Sequence, residues 1–403
     1  MIRGNQSFQK AANIALVMRE IRHRSPISRT EISQVLGLTK STVSTIVADL
    51  LEVGLLNESN LVPSETKGGR PRMKLELKKE TACIVGVELD PSRYKSVIID
   101  IDGTEISRST GTIREDRRSK SWHPDPVSAF DSVFQEIRQQ VESVHLPVIG
   151  IGVGIPGYIE PVKGRILRST AFDVENMDYT RPLSEKYELP ILVENDANCI
   201  AWGEIAAEES SDGSPEKPYE NLITVLLQMH RDLQGRHLQS SPGIGCGIVM
   251  DGMVRYGENF AAGEFHSYRW HTESPGQLGS VHGGREAEDE SRFIEEMLEE
   301  LFQNLSLGVS LLSPARVVYA GDLLEYEGQM KRILSERMAG SFINPEVSGI
   351  PIDAARFGES AVAAGAAFML LERLFLLPEV GRTRPEGMPT WNDVISKLRA
   401  ETK

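Results

Sequence analysis

The chain has 403 residues, 40% hydrophobic and 25% charged, which allows two or three domains with buried cores. Three cysteines (Cys83, Cys199, Cys246) exclude a disulfide framework, and no apolar run nears the roughly 18 residues of a membrane helix. The net charge of −14 argues against nucleic acid, but residues 1–80 hold 13 Lys/Arg against 8 Asp/Glu, a balance of +5 that leaves −19 for the rest.

The first residues interrupt their apolar positions with polar ones and lack a signal-peptide core, so a reducing, cytoplasmic protein is expected. Ile14, Met18 and Ile21 stand at helical spacing within residues 11–22, and Pro26 breaks that helix. "SRTE" (Ser28 to Glu31) has capping-box spacing and opens a second helix, with Ile32, Val35 and Leu36 as its apolar face. Gly37 supplies a turn. Thr39 can cap a third helix in which Val43, Ile46, Val47 and Leu50 recur at i, i+3, i+4, i+7. Lys40, Ser41, Ser44, Thr45 and Ala48 are left opposite, a short polar face suited to entering a major groove.

Gly54 ends this helix. "LLNE" and "MKLELK" then alternate with period 2 as two strands, around a polar loop ending in "KGGRPR". The order predicts a winged helix-turn-helix over residues 1–80; a small helical bundle with a solvated basic loop is the alternative. DNA contacts are expected from Ser28, Arg29, Thr39, Lys40, Ser41, Thr42, Ser44 and Thr45 on the helices, and from Arg70 and Arg72 in the wing.

Beyond residue 80, "CIVGVELD" and "SVIIDID", joined by "PSRYK", read as a hairpin, and "DGTEISRSTGTI" as a turn and third strand. A helix is expected over 125–144. "PVIGIGVGIPGYIE" is a buried strand entering a Gly/Pro turn. "LPILVENDANCIAWGE" is a strand, a turn and a small-residue helix. "NLITVLLQM" and "GIGCGIVMDGMV" form a strand pair. A long amphipathic helix, the strand "ARVVYAGD" and a final small-residue helix follow. An α/β body of two lobes around a cleft is expected.

Several ordered motifs resemble the ROK family (repressors, open reading frames and sugar kinases), over about residues 8–378. They are "GLTKSTVSTIVADLLEVGLL" and "GGRPR" in the head, then "GIPGYIEPVKGRI", "VENDAN" (Val193 to Asn198), "GIGCGIVMDGMVRYGENFAAGE" (Gly243 to Glu264) and the final helix. The resemblance implies an actin-like ATPase fold: a small lobe of about 81–193 plus 357–378, a large lobe of about 194–356, and a tail at 381–403. It also implies that Asp196 corresponds to the general base of family kinases. Asn195 would bind sugar hydroxyls beside it, and Glu264 matches the sugar-binding glutamate. The alternative for "NDAN" is that it only caps the following helix. His266 lies one position nearer Glu264 than the family histidine and is carried as a further ligand candidate.

Two departures from the kinases stand out. Where they hold a structural zinc with a histidine and a cysteine cluster, this chain has no cysteine after Cys246, so Cys3His zinc is impossible there; His266, His271 and His282 match no metal spacing. The first phosphate motif, an acidic residue then Gly-Gly-Thr, is here Glu88 followed by Leu89, Asp90, Pro91, Ser92 and Arg93. Pro91 has no N–H, and Asp90 would repel phosphate. The second motif begins Ser241, Pro242, Gly243, and the adenosine motif is "YAGDL" (Tyr319 to Leu323) with one glycine. Gly245 and Gly247 are expected to serve a strand turn.

These residues, with what the resemblance implies, predict a sugar-responsive transcriptional regulator, a repressor, whose body binds a sugar without phosphorylating it. No cofactor or metal is expected; the expected partners are double-stranded DNA and a sugar effector, and the resemblance implies a homodimer or homotetramer. An active sugar kinase fused to a DNA-binding head is the main alternative, and a regulator controlled by a protein partner the second. The segment 213–242 has no role legible in the sequence.

Overall fold

The computed structural model describes residues 6–60, 73–113, 125–209, 221–229, 242–274, 276–279, 290–376 and 384–401. The expectations for Arg70, Arg72, Ser241 and His282, and for most of the 213–242 segment, lie outside these residues. The described chain divides into two compact units, residues 1–194 with 366–403, and residues 195–365.

The first unit begins with α1 (Gln6–Arg24), α2 (Arg29–Leu36) and α3 (Lys40–Glu52). The periodic positions of α1 and α3 point inward: Ile14, Met18, Ile21, Val43, Val47 and Leu50 are fully buried. Each such side chain stabilises the head by roughly 1.5–3 kcal/mol relative to exposure. The capping box forms as its spacing predicts. Ser28 Oγ accepts from Glu31 N–H, and the Glu31 carboxylate accepts from Ser28 N–H at 2.7 Å. Val35 departs from expectation. It is 46% exposed, because an eight-residue helix turns one narrow face inward and Ile32 fills it. After Gly54, β1 (Leu56–Asn60) pairs antiparallel with β2 (Met73–Leu77), in register from Leu56↔Leu77 to Asn60↔Met73. Three helices and a two-stranded wing therefore stand in the expected order.

The chain continues through β3 (Cys83–Leu89), β4 (Arg93–Asp100), β5 (Glu105–Thr112), α4 (Pro126–Val144) and β6 (Val148–Ile155). Then come β7 (Tyr158–Glu160), β8 (Arg165–Ser169), β9 (Val174–Asp178), α5 (Thr180–Tyr187) and β10 (Ile191–Asn195). The main sheet has order β10-β6-β3-β4-β5, and β7-β8-β9 form a separate antiparallel sheet. Arg93, Tyr94 and Lys95, expected in the β3–β4 connection, belong to β4; only three residues make the turn.

The second unit holds α6 (Asp196–Glu209), β11 (Leu222–Gln228), β12 (Gly243–Met250), β13 (Met253–Val254) and α7 (Glu290–Leu312). Then follow β14 (Arg316–Gly321), α8 (Glu327–Glu336), α9 (Pro345–Ser348) and β15 (Ile352–Ala354). Its sheet has order β13-β12-β11-β14-β15. Both five-stranded sheets thus repeat one topology. The first three strands form an antiparallel meander, and the fourth returns parallel to the first after a long helix, α4 in one and α7 in the other. This α/β duplication is what the strand and helix pattern of the body calls for.

Helix α10 (Ala361–Phe375) returns the chain to the first unit, and α11 (Trp391–Glu401) closes it. The small residues of α10 have a steric cause. A Cβ on Gly152 of β6 would stand 1.9 Å from the Ala366 carbonyl oxygen, so strand and helix backbones touch there. The tail is an ordered helix: Trp391, Val394, Ile395 and Leu398 are buried, α11 packs on α1, and Lys397 Nζ donates to the Val148 carbonyl. Arg22 of α1 also reaches α10. Its guanidinium lies 2.8 Å from Glu372 and 4.6 Å from the Phe375 ring centroid, with both charged side chains nearly buried.

Candidate functional site

In the head, α3 presents the face read from the sequence. Lys40, Ser41, Ser44, Thr45 and Ala48 are exposed, while their opposite neighbours form the core. Thr39 caps the helix, accepting from Thr42 N–H at 3.1 Å, and its hydroxyl also meets those of Ser41 and Thr42. Thr45 Oγ1 donates back to the Ser41 carbonyl at 3.1 Å. Two candidates are engaged elsewhere. Ser28 is 3% exposed with its hydroxyl spent on the capping box, so it is withdrawn as a base-contacting group. Arg29 pairs with Glu58 of β1 at 2.5 Å. The only acids of α3, Asp49 and Glu52, both accept from Arg399 of α11, at 3.0 and 2.6 Å. The tail helix thereby covers negative charge at the end of the helix that carries the polar face.

In the second unit, Asn195 ends β10 and α6 begins at once with Asp196, without the turn expected between them. Asn195 Oδ1 accepts from Asn198 N–H at 3.0 Å, so it is the helix cap. The capping alternative therefore holds for its oxygen. Asp196 is 6% exposed, and its Oδ1 accepts from Ala197 N–H at 2.9 Å.

Strand β12 brings Glu264 to the same place. Gly245 is bridged antiparallel to Glu264, and Asp196 Oδ1 lies 3.9 Å from where a Gly245 Cβ would stand. The Asp196 carboxylate and the backbone of Glu264 therefore both lie beside Gly245. Burial raises the Glu264 pKa from its ordinary value. Burial, then the charge of Glu264, pushes the Cys246 thiol up to about 12, which makes it a packing residue rather than a nucleophile.

Gly245 and Gly247 lie inside β12 and serve no turn. A Cβ on Gly247 would stand 2.4 Å from Thr224 Oγ1 and 2.6 Å from the Ala197 carbonyl, so these glycines let the start of α6 lie on the strand. Gly263, at φ +90°, is forced for the same kind of reason: its Cβ would meet the Cys246 carbonyl at 1.8 Å. Thr224 is a site residue that sequence reading missed. Its hydroxyl donates to the Ala197 carbonyl at 2.9 Å and accepts from Gly247 N–H at 3.0 Å, fixing helix to strand. A lone threonine within the apolar run "NLITVLLQM" was its signal. His266 is exposed, with its ring 5.3 Å from that of Trp270.

The segments aligned with phosphate and adenosine motifs have their own internal partners. In the first unit, the β3–β4 turn is closed by Asp90, whose Oδ1 accepts from both Ser92 N–H (3.0 Å) and Ser92 Oγ (2.9 Å). One turn N–H is thus taken by a carboxylate, and Pro91 supplies none. Glu88 is buried beside Lys95 at 3.3 Å, and desolvation raises its pKa. In the second unit, the Asp322 carboxylate accepts from Met229 N–H, so an anion occupies the end of β11 where the glycine-rich adenosine motif would run. Among the described residues no group of three or more His, Cys, Asp or Glu is placed to hold a metal. Nor is any described helix long and apolar enough to cross a membrane.

Residues 97–276 match the model of the ROK family. A xylose repressor of Bacillus subtilis (strain 168) is 28% identical over 262 residues, 64% of this chain and 61% of the relative. The DNA-binding transcriptional dual regulator NagC of Escherichia coli (strain K12) is 25% identical over 264 residues, 65% of this chain and 58% of the relative. The chain thus spans about three fifths of the length of the curated relatives it matches. Among solved structures, a ROK family transcriptional regulator, homolog of the E. coli MLC protein, superposes with TM-score 0.64 at 17% identity, covering 90% of this chain and 96% of that one. A ROK family glucokinase from Streptomyces griseus in complex with glucose and AMPPNP gives 0.52 at 18% identity, covering 72% and 99%. At these identities the structural likenesses speak to the fold, which is the two-lobed sugar-kinase-like one.

Proposed function

We propose, for a chain that carries a ROK family domain, that it is a sugar-responsive DNA-binding regulator, a repressor, whose body binds a sugar without transferring phosphate to it. One observation carries the reading: an exposed, acid-free face on a capped α3 beside a wing, in the same chain as a buried Asp196 that shares Gly245 with the backbone of Glu264. The relatives named as a xylose repressor and as NagC support the same pairing of DNA and sugar.

On this reading α3 enters a major groove, with Lys40 and Ser41 at the backbone edge and Ser44 and Thr45 toward the bases. Arg70 and Arg72 complete the contact from the wing. A single head reads a short half-site, so a symmetric dimer on a palindromic operator supplies the specificity. Asn195, Asp196 and Glu264 hold sugar hydroxyls; a carboxylate can accept these hydrogen bonds with no nucleotide present. The sugar lowers DNA affinity by binding one conformation of the body better than another, and the two affinities are linked reciprocally.

The absence of phosphoryl transfer rests on the three nucleotide segments. Transfer requires a γ-phosphate held in line by backbone N–H groups with its charge neutralised. Asp90 closes its own turn, Pro91 and Pro242 offer no N–H, and Asp322 adds negative charge. The kinase reading keeps one observation in its favour, the buried Asp196 at the head of α6, where a general base would stand. Selection of bound duplexes from a random library, followed by competition with a panel of pentoses, hexoses and N-acetylated hexosamines, tests the proposal. A sugar that releases the selected DNA supports it. Operator binding by a body lacking residues 1–80 would assign the DNA contact elsewhere.

A further inference from the structure

Glu264 lies in the stretch 255–274 that follows β13, in a region where family kinases use a metal to fix the chain. Here the donors do not fit that metal: the groups that hold the loop are Gln277, Ser267, Asn304 and Glu300, amides, a hydroxyl and one carboxylate, with no thiolate. What they make is a hydrogen-bonded clamp. Gln277 Oε1 accepts from Ile244 N–H at 2.7 Å, while Nε2 donates to the Ile244 carbonyl at 2.7 Å and to the Phe265 carbonyl at 2.9 Å. Ile244 directly precedes Gly245, and Phe265 directly follows Glu264. One carboxamide therefore acts as a spare peptide unit that extends the Gly245↔Glu264 bridge by one rung.

The clamp is itself anchored. The Gln277 carbonyl accepts from Ser267 N–H at 2.9 Å, and the next residue, Leu278, is buried in the core of the unit. Gly279 N–H donates to Glu300 Oε1 at 2.7 Å, with Glu300 fully buried on α7. Asn304, one turn further along α7, accepts from Tyr268 N–H at 2.8 Å and donates to Ser267 Oγ at 3.2 Å. We propose that Gln277 is a positioning residue for Glu264, holding the backbone that carries it against β12 by hydrogen bonds where a metal would otherwise fix the loop. This rests on the reading of Glu264 as a sugar-binding group.

The test uses the full-length protein, with Gln277→Ala, Gln277→Glu, Glu264→Gln and the Gln277→Ala/Glu264→Gln pair. The probe is whichever panel sugar binds the parent protein, read by calorimetry, with hydrogen exchange measured without sugar. Exchange at Ile244 and across 263–279 should quicken at least tenfold in Gln277→Ala and be unchanged in the parent by EDTA. In Gln277→Glu the added negative charge faces two carbonyls, so exchange should quicken at neutral pH and slow again on acidification, as the carboxyl regains a donor. Sugar affinity should fall about tenfold in Gln277→Ala, and no further in the pair than in Glu264→Gln alone, because one residue acts through the other. Unchanged exchange in Gln277→Ala, or loosening of the parent loop by EDTA, overturns the clamp. Losses that multiply in the pair overturn positioning while leaving the sugar site intact. Full affinity in Glu264→Gln beside faster exchange in Gln277→Ala overturns the site reading, and the positioning role with it.

Discussion

Replacing Glu372 by Ala should loosen the attachment of the N-terminal head. The Arg22 guanidinium on α1 lies 2.8 Å from Glu372 on α10 and stacks 4.6 Å above Phe375, with only 6% and 10% of the two charged side chains exposed. The contact lies off the line a hydrogen bond prefers, so it is chiefly a charge pairing. Deleting Glu372 leaves the Arg22 charge out of water without this partner, at a cost of about 3 kcal/mol for a pair this buried. Arg22→Met should also destabilise, by up to about 3 kcal/mol, through loss of the cation beside Glu372. The pair Arg22→Met/Glu372→Leu should lie within about 1–2 kcal/mol of the parent, because two apolar groups leave no charge behind and keep contact with Phe375. Urea unfolding, followed by both tryptophan fluorescence and circular dichroism, reads these differences. Single losses below about 1 kcal/mol, or losses that simply add in the double variant, would refute the buried-pair reasoning.

Further expectations follow from other elements. Lys74 and Ser28 hold the Glu31 carboxyl at about 2, below its ordinary value of 4.5, so its contribution is full above pH 4.5 and lost as pH falls through about 2. Glu31→Gln should flatten acid unfolding of the head in that window, and an unchanged profile would contradict the assignment. Gly247→Ala drives a methyl toward Thr224 Oγ1 and the Ala197 carbonyl, and should cost about 1–3 kcal/mol in thermal unfolding with sugar affinity reduced as well. Ser44→Ala and Thr45→Ala, both exposed, should leave stability within about 0.5 kcal/mol. Each should relax preference at one base position of the selected duplex by about 1–3 kcal/mol; a uniform loss across sequences would mark them as backbone contacts. Light scattering should find a dimer on DNA, and a monomer bound there would refute the half-site argument.

The head was the most legible part of the sequence because its signals are local. A capping box, a cap threonine and a 3.6-residue apolar period each act within one turn, and they placed α2, α3 and the exposed face of α3. Val35 failed because an apolar residue on a short helix need not face the core. In the body, the pairing of β11 with β12 was readable from apolar runs. The sheet β7-β8-β9 was not, because Arg165–Ser169 and Val174–Asp178 are largely polar and owe their strand form to each other. Gly245 and Gly247 were read as turn residues; their real cause, the approach of α6, is tertiary and leaves no local trace. The same holds for Gln277, whose three bonds join residues 12 and 33 positions away.

The central claim is that sugar binding releases DNA and that no phosphate moves. It is tested most directly by one measurement on pure protein: ADP formation with ATP, Mg²⁺ and the sugar that displaces the selected duplex, in parent and Asp196→Asn forms. The account predicts that sugar shifts the DNA-binding curve with no ADP formed by either protein, and that Asp196→Asn changes the sugar concentration needed. Sugar-dependent ADP formation that disappears in Asp196→Asn would contradict it and make the body a kinase.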